Sequence, residues 1–233
     1  MFDGVETRRY YDDMAGVFCD MAATRIGRMA CGVEAAADIR LSYRWSLSFA
    51  ASAGRYKFIR NPRITVISDV DNSVVDARAV SHLRGCTPGG APQLTACAEL
   101  GYFGPKGWGF KTSAGYAGAR YVEPSLLRRT ERIARQGGTT REMFDAFTRQ
   151  QRLGDAFTLD AALFKTFWFD RSRLTASLIL RNLLGDGDIV YNAYESQRVR
   201  RIRSGDTLCY APHATRLTYA YPRSFYLTVS YRF

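Results

Sequence analysis

The sequence predicts an all-β chain: antiparallel transmembrane strands, about seven or eight of them, forming a segment of a β-barrel with long extracellular loops. Three observations predict this. Stretches of about ten residues alternate apolar and polar side chains. The connections between them alternate short and long. Aromatic residues gather beside the short connections.

The terminal stretch is the clearest. Phe225, Leu227, Val229, Tyr231 and Phe233 alternate with Tyr226, Thr228, Ser230 and Arg232. Side chains on a strand point to opposite faces with period two, so one face is apolar and the other polar. The pattern recurs upstream. Leu174 to Leu180 alternate with Arg173, Thr175, Ser177 and Arg181, and Ile179 is the exception. Phe157, Leu159, Ala161 and Leu163 alternate with Thr158, Asp160 and Ala162. Leu94 to Tyr102 alternate with Gln93, Thr95, Cys97 and Glu99. Tyr43 to Ala51 alternate with Arg44, Ser46 and Ser48, and Met29 to Ile39 with Gly32, Glu34, Asp38 and Arg40. A weaker stretch sets Trp108, Phe110, Ala114 and Tyr116 against Lys111 and Ser113. Strands of this length suit a bilayer, which about 9–11 tilted residues cross; strands in soluble sheets run to about five or six.

Short connections are expected at Leu41–Ser42, Gly104–Gly107 and Asp170–Ser172, and long ones over roughly 55–92, 121–155 and 184–222. Strict alternation of the two kinds suits a barrel with tight periplasmic turns and long outer loops. Beside the short turns lie Tyr43, Trp45, Tyr102, Trp108, Phe167 and Trp168, and Tyr231 and Phe233 close the last strand. Amphipathic rings collect at a membrane interface, and these eight are the candidate periplasmic girdle. The rim of a soluble core is the other reading. Within the second long connection, helices are expected at Pro124–Arg132, with Pro near the start, and at Thr140–Phe147.

Composition is compatible with this. The chain has 233 residues, 46% hydrophobic and 24% charged. No apolar run is long enough for a membrane helix, and a mean hydropathy of −0.23 is what alternating strands average to. The net charge of +11 is carried mostly by arginine, which suits bidentate contacts to carboxylate or phosphate. Five cysteines without a CxxC spacing argue against zinc. Cys86 and Cys209 fall in long connections and either pair or serve as small fillers. His82 and His213 sit in different loops with no nucleophile-elbow sequence nearby, so no catalytic triad is expected. Asp186-Gly187-Asp188 lacks the further ligands of a calcium loop. Neither an enzyme nor a cofactor is expected.

The order Phe157-Thr158-Leu159-Asp160, Arg181-Asn182-Leu183-Leu184, Asp188-Ile189-Val190, Tyr194-Glu195 and terminal Ser230-Tyr231-Arg232-Phe233 resembles the C-terminal end of TonB-dependent outer-membrane receptors. The Asp188-Ile189 and Tyr194-Glu195 pairs are most similar to those of the Bacteroidetes, and Gly89-Gly90-Ala91-Pro92-Gln93 is similar to another segment of the family. The individual motifs are short; their order and spacing carry the resemblance over most of the chain. It implies membership in a plugged barrel of about 22 strands that imports a scarce ligand, such as an iron chelate, at the expense of the proton gradient. On that basis residues 1–233 are one partial barrel domain, about its last third, without the signal peptide, TonB-contacting segment or plug. The opening Met1-Phe2-Asp3-Gly4-Val5-Glu6 has no signal-peptide character, so the true start is expected upstream. Residues 2–12 offer an alternative, an eighth strand.

The fold then assigns faces. Glu34, Asp38, Arg40, Arg44, Glu99, Lys111, Asp160, Arg173, Arg181 and Arg232 are expected to face the lumen, since Arg or Lys facing lipid at mid-bilayer costs about 2–4 kcal/mol. Arg128, Arg129, Tyr191, Arg198, Arg200 and Arg201 are candidate ligand contacts in the outer loops. The cluster from Arg198 to Arg203 faces lipopolysaccharide phosphates, an anionic ligand or solvent. Expected partners are outer-membrane lipid and lipopolysaccharide, and the barrel-assembly machinery through the terminal strand. The TonB complex joins them only with the N-terminal part present. Two other functions fit less well: a complete small barrel for adhesion or as a pore, and a soluble basic β-protein binding nucleic acid.

Overall fold

The alternating stretches lie side by side as antiparallel strands in a computed structural model of the chain, which describes residues 2–135 and 138–233. In chain order the elements are β1 (Phe2–Asp12), β2 (Val17–Arg40), β3 (Trp45–Phe58), β4 (Arg63–Ser68), β5 (Val74–Val80), β6 (Leu94–Phe103) and β7 (Trp108–Gly118). Two short helices follow, α1 (Glu131–Ala134) and α2 (Arg141–Thr148). The remainder is β8 (Ala156–Trp168), β9 (Arg173–Arg181), β10 (Val190–Tyr194), β11 (Val199–Ser204), β12 (Thr207–Pro212), β13 (Arg216–Tyr219) and β14 (Ser224–Arg232).

The fold is all-β. The main sheet runs β14-β9-β8-β7-β6-β3-β2, and it continues to β4 and β5 at one corner. Its seven long strands are the seven that alternation predicts, and the three tight turns fall where expected. Register carries the alternation across the whole sheet. Ile39, Leu47, Leu100, Thr112, Ala161, Leu180 and Phe225 are successive cross-strand neighbours on one face. One position along, Asp38, Ser48, Glu99, Ser113 and Asp160 are neighbours on the other. A slip of one residue in any pair would mix the two faces.

Burial differs from that of a soluble sheet, whose apolar face would be covered. Among the described residues, no apolar side chain of 29–57, 94–118, 157–181 or 224–233 is buried. Leu163 sits in the middle of β8, a central strand, and is 48% exposed. The buried apolar residues all belong to the long-loop end. The largest cluster joins Met21, Ala23, Ile26, Phe58, Ile64, Val66, Leu83 and Leu126. A second joins Ile133 and Phe147 to Val199 and Tyr210, and a third joins Val122, Leu153 and Ala193.

The long-loop end is more regular than its sequence suggests. β2 begins at Val17, twelve residues before the expected Met29. Its first half pairs with β1 on one side, from Asp12 opposite Val17 to Phe2 opposite Arg28. Residues 2–12 therefore form a strand, but beside the outer half of β2 and not beside Met29–Arg40. On the other side β4 continues the line of β3 after a break at 59–62, and Arg25, opposite that break, takes a positive φ of 60°. The 184–222 connection folds into two ribbons, β10 with β13 and β11 with β12. The expected helix at Pro124–Arg132 forms only from Glu131. Ser125 Oγ accepts from Arg128 N–H and Thr130 Oγ1 donates to the Leu127 carbonyl, so side chains satisfy backbone groups that a helix would use. The second helix forms as expected, with Thr140 Oγ1 accepting from Met143 N–H at its start.

The sheet is open. β2 and β14 are not paired with each other, and among the described residues no strand pairs with the outer edge of β14 or with the Met29–Arg40 edge of β2.

Gly89 joins two long connections. Its N–H donates to the Glu123 carboxylate, and a Cβ there would fall onto the Glu123 backbone. Gly89→Ala is expected to destabilise the folded chain by about 1–3 kcal/mol, read as a lowered urea midpoint. Gly154→Ala, in open space, is expected to leave the midpoint unchanged.

Candidate functional site

Two surfaces collect the polar chemistry of the chain: the polar face of the sheet and the packed long-loop end. On the sheet, Lys111 Nζ lies 2.7 Å from Glu99 Oε1 and Arg181 Nη1 lies 3.7 Å from Asp160 Oδ2. Ser52 and Thr95 share a hydrogen bond of 2.7 Å, and Thr166 and Thr175 one of 3.0 Å. Asp160 also accepts from Asn182 N–H at 2.8 Å. Register puts Glu34, Asp38, Glu99, Lys111, Asp160, Arg173, Arg181 and Arg232 on this one face. Arg44 precedes β3 in the tight turn, its guanidinium 4.8 Å over the Tyr43 ring.

The aromatics by the short turns divide between the faces. Trp45, Tyr102 and Phe110 pack together on the apolar face, with Trp45–Tyr102 centroids 4.7 Å apart. Trp108, Phe167, Tyr231 and Phe233 share that face by alternation. Lys165 lies among them, its ammonium 4.9 Å from the Trp108 ring and 5.2 Å from Phe167. That Nζ also reaches the Lys106 carbonyl, so the stem lies along the apolar face while the charge finds polar company at the turn. Trp168 differs from the expectation. It pairs with Arg173, which pairs with Arg232, so it stands on the polar face. Two successive residues on a strand cannot share a face, and Phe167 occupies the apolar one.

In the long loops, Arg129 is fully buried. Its guanidinium donates to both Glu195 oxygens, with Nε–Oε2 at 3.2 Å, and to the Thr148 carbonyl. Glu195 also accepts from Ser125 N–H at 2.9 Å. Arg128 is buried too, over the Phe147 ring. Both are buried, which corrects their expected role: Arg129 staples the 121–155 loop to the last one, and Arg128 packs inside the 121–155 loop. Arg198 is committed to Asp13 through Nη2–Oδ1 at 2.6 Å, and Arg201 donates to the Asp13 carbonyl. Arg200 and Tyr191 are exposed. Of the six candidate ligand contacts, only these two keep free surface away from such ties.

Asp12 is the other buried anchor. Arg132 donates to both its oxygens, and Tyr10 and two loop amides add hydrogen bonds. Burial works against its charge, but the donors outweigh it and hold its pKa below the ordinary carboxylate value of 3.8. Glu123 has fewer donors, and burial raises its pKa above the ordinary value despite the Gly89 N–H. The cavity between Asp12, Asp13, Arg132 and Val199 holds only about 20 Å³, room for a water. All five cysteines are free; Cys86 Sγ lies 3.7 Å from Arg129 Nη1 and Cys209 Sγ lies 3.6 Å from the Gly138 carbonyl. Among the described residues no group of three or more His, Cys, Asp or Glu is placed to hold a metal ion.

Sequence reading missed Glu195, Asp12 and Asp13 as the partners of these arginines. Their separations, 66 residues for Arg129–Glu195 and 185 for Arg198–Asp13, leave no local signal. Compared with protein-family models, curated proteins and solved structures, the chain matches none.

Two outcomes follow for the anchors. Arg129→Met is expected to lose about 3–5 kcal/mol by stranding the buried Glu195, and the pair Arg129→Met with Glu195→Leu to recover most of it, both read by urea unfolding. Asp12 has a depressed folded pKa, so its stabilisation is full above pH about 4 and is lost as pH falls through that lower value. Asp12→Asn is therefore expected to cost about 1.5–3 kcal/mol at neutral pH. The gap to the parent chain should close in unfolding curves taken progressively below pH 3.8.

Proposed function

We propose that the chain is a membrane-crossing segment of an outer-membrane β-barrel, the C-terminal part of a TonB-dependent receptor that imports a scarce ligand such as an iron chelate. The observation that carries the membrane reading is the seven-strand sheet whose apolar face, among the described residues, no other part of the chain buries. A contiguous apolar surface of that size is not left to water by soluble monomers. On β3 the apolar-face positions run from Trp45 to Ala53 before Arg55 and Lys57 interrupt them. That is about 27 Å along the strand, or about 21 Å of height at a tilt of about 40°, close to the roughly 25 Å band of such barrels. The order of short turns and long connections, and the self-paired polar face, suit a barrel whose inner wall meets water or a plug.

The receptor reading rests on the motif order from Phe157 to Phe233 and on the size of the outer loops. Those loops fold over the polar-face side through Arg129–Glu195 and Asp12–Arg132, the side on which ligand would enter. The small-barrel alternative needs an eighth membrane strand. β1 lies beside Val17–Arg28, beyond the apolar band, and so does not offer one.

Orientation tests the reading. In a background without the five cysteines, Asp145→Cys in α2 is expected to react with a membrane-impermeant maleimide on intact cells. Asp170→Cys in a tight turn should react only after the outer membrane is permeabilised. Equal labelling of both positions, or recovery of the protein in the soluble fraction, would overturn the proposal.

A further inference from the structure

A groove of about 660 Å³ opens at the break between β3 and β4, and four arginines line it: Arg25, Arg60, Arg63 and Arg84. All four are exposed. Among the described residues no carboxylate forms an ion pair with Arg25, Arg63 or Arg84. Asn61 braces the site by accepting Arg84 N–H at 2.8 Å.

The side of the sheet on which it opens decides what it meets. Ile64, Val66 and Ser68 of β4 are buried against the loop core, and Arg63 alternates with them on the opposite side. The stem of Arg60 lies over Gly27, with Cδ 3.1 Å from where a Cβ would stand. Gly27 shares its face with Met29, Cys31 and Val33, the apolar face. Lys57 pairs with Met29 and Arg55 with Cys31, so both belong to that face as well. Lys57 reaches the carbonyl of Gly85, the residue after Arg84, at 3.0 Å. A column of cations thus stands directly above the apolar band, at the long-loop end only. The short-turn end of the same face carries aromatic rings and Lys165.

We propose that this groove binds the phosphate groups of an outer-leaflet lipid, a phosphorylated glycolipid such as lipid A, with its acyl chains against Met29, Val33 and the neighbouring apolar face. The inference rests on the membrane reading above and adds a specific lipid site to it. Guanidinium groups match phosphate oxygens bidentately, and each cation near an anionic membrane surface adds attraction that several together multiply. The adjoining apolar face explains why the ligand is a lipid and not free phosphate: the same face supplies cations for the headgroup and greasy surface for the chains.

The test uses the gene product extracted from its membrane in mild detergent and titrated with fluorescent bisphosphorylated lipid A in mixed micelles. The variant is Arg25→Asn with Arg63→Gln and Arg84→Gln; asparagine tolerates the positive φ at 25. Heat-modifiable gel mobility checks that each protein is folded. The double variant at 63 and 84 replaces the triple if the latter fails that check. Lipid A binding is expected to weaken at least about tenfold in the variant, and dephosphorylated lipid A to bind parent and variant equally weakly. Unchanged lipid A binding in a folded variant overturns the site while leaving the membrane reading intact. Displacement of lipid A by inorganic phosphate at concentrations comparable to its own overturns the lipid assignment. Recovery of the parent protein in the soluble fraction overturns both.

Discussion

An apolar sheet face that no described part of the chain buries is the constraint on which the other features depend. Alternation along each strand and unbroken register across seven of them concentrate most of the apolar side chains of the sheet on one side. A soluble protein would lay a second layer there, because burial of that surface is the main force available to fold it. Here the loops that could have formed such a layer pack at the other end and toward the polar face. Within the chain the sheet is therefore held chiefly by its ladder hydrogen bonds; under the membrane reading proposed above, hydrocarbon would cover its apolar face. In hydrocarbon each unpaired backbone group costs several kcal/mol, which rewards long uninterrupted ladders. β3 paired residue for residue with β2 and β6 is such a ladder.

The long-loop end is built differently. It has a conventional core, made from Met21, Ile26, Phe58, Ile64 and Leu126. Its buried charges link parts of the chain that are far apart in sequence. Arg132 reaches back to Asp12, Arg198 to Asp13 and Arg129 forward to Glu195. These ties bring the β1–β2 hairpin, the 121–155 connection and the final ribbons together, and none of them can form before the intervening strands are aligned. Such contacts have high closure entropy and form late. Their buried donors and acceptors are costly when mispaired, so they favour one arrangement of loops over others.

What sequence could disclose follows from the range of the interactions. Period-two alternation is local, so the seven strands and three turns were legible from Met29 to Phe233. Loop strands were less so. Ile64, Val66 and Ser68 alternate with Arg63, Thr65 and Ile67, but six residues inside an arginine-rich connection gave a weak signal. β2 beyond Met29 was hidden because the αL residue Arg25 shifts the phase: Cys19, Met21 and Ala23 are inward at odd positions, and Ile26 at an even one. Arg129 looks exposed in sequence because its carboxylate partner, Glu195, is 66 residues away, and Arg128 because the Phe147 ring that covers it belongs to α2. Trp168 lies beside a turn, as an interface aromatic would, but strict alternation with Phe167 puts it on the polar face. Tyr191 and Arg200 stay exposed, but nothing local says what they meet.

Strand direction limits how the open edges can be satisfied. β2 runs from the long-loop end to the short turns, and β14 does the same. Closing the seven strands on themselves would set these two edges parallel. So would joining β14 of one copy to β2 of another, for any number of copies in a ring. An antiparallel closure needs an odd number of further strands between them, and an odd number added to seven gives the even total of bacterial single-chain barrels. β1 also runs antiparallel to β2, but their pairing extends from Asp12 opposite Val17 to Phe2 opposite Arg28, so among the described residues the Met29–Arg40 edge stays unpaired. Under the membrane reading proposed above, self-closure and a ring of copies would both set β2 and β14 parallel, and the antiparallel ladders of the sheet argue against either.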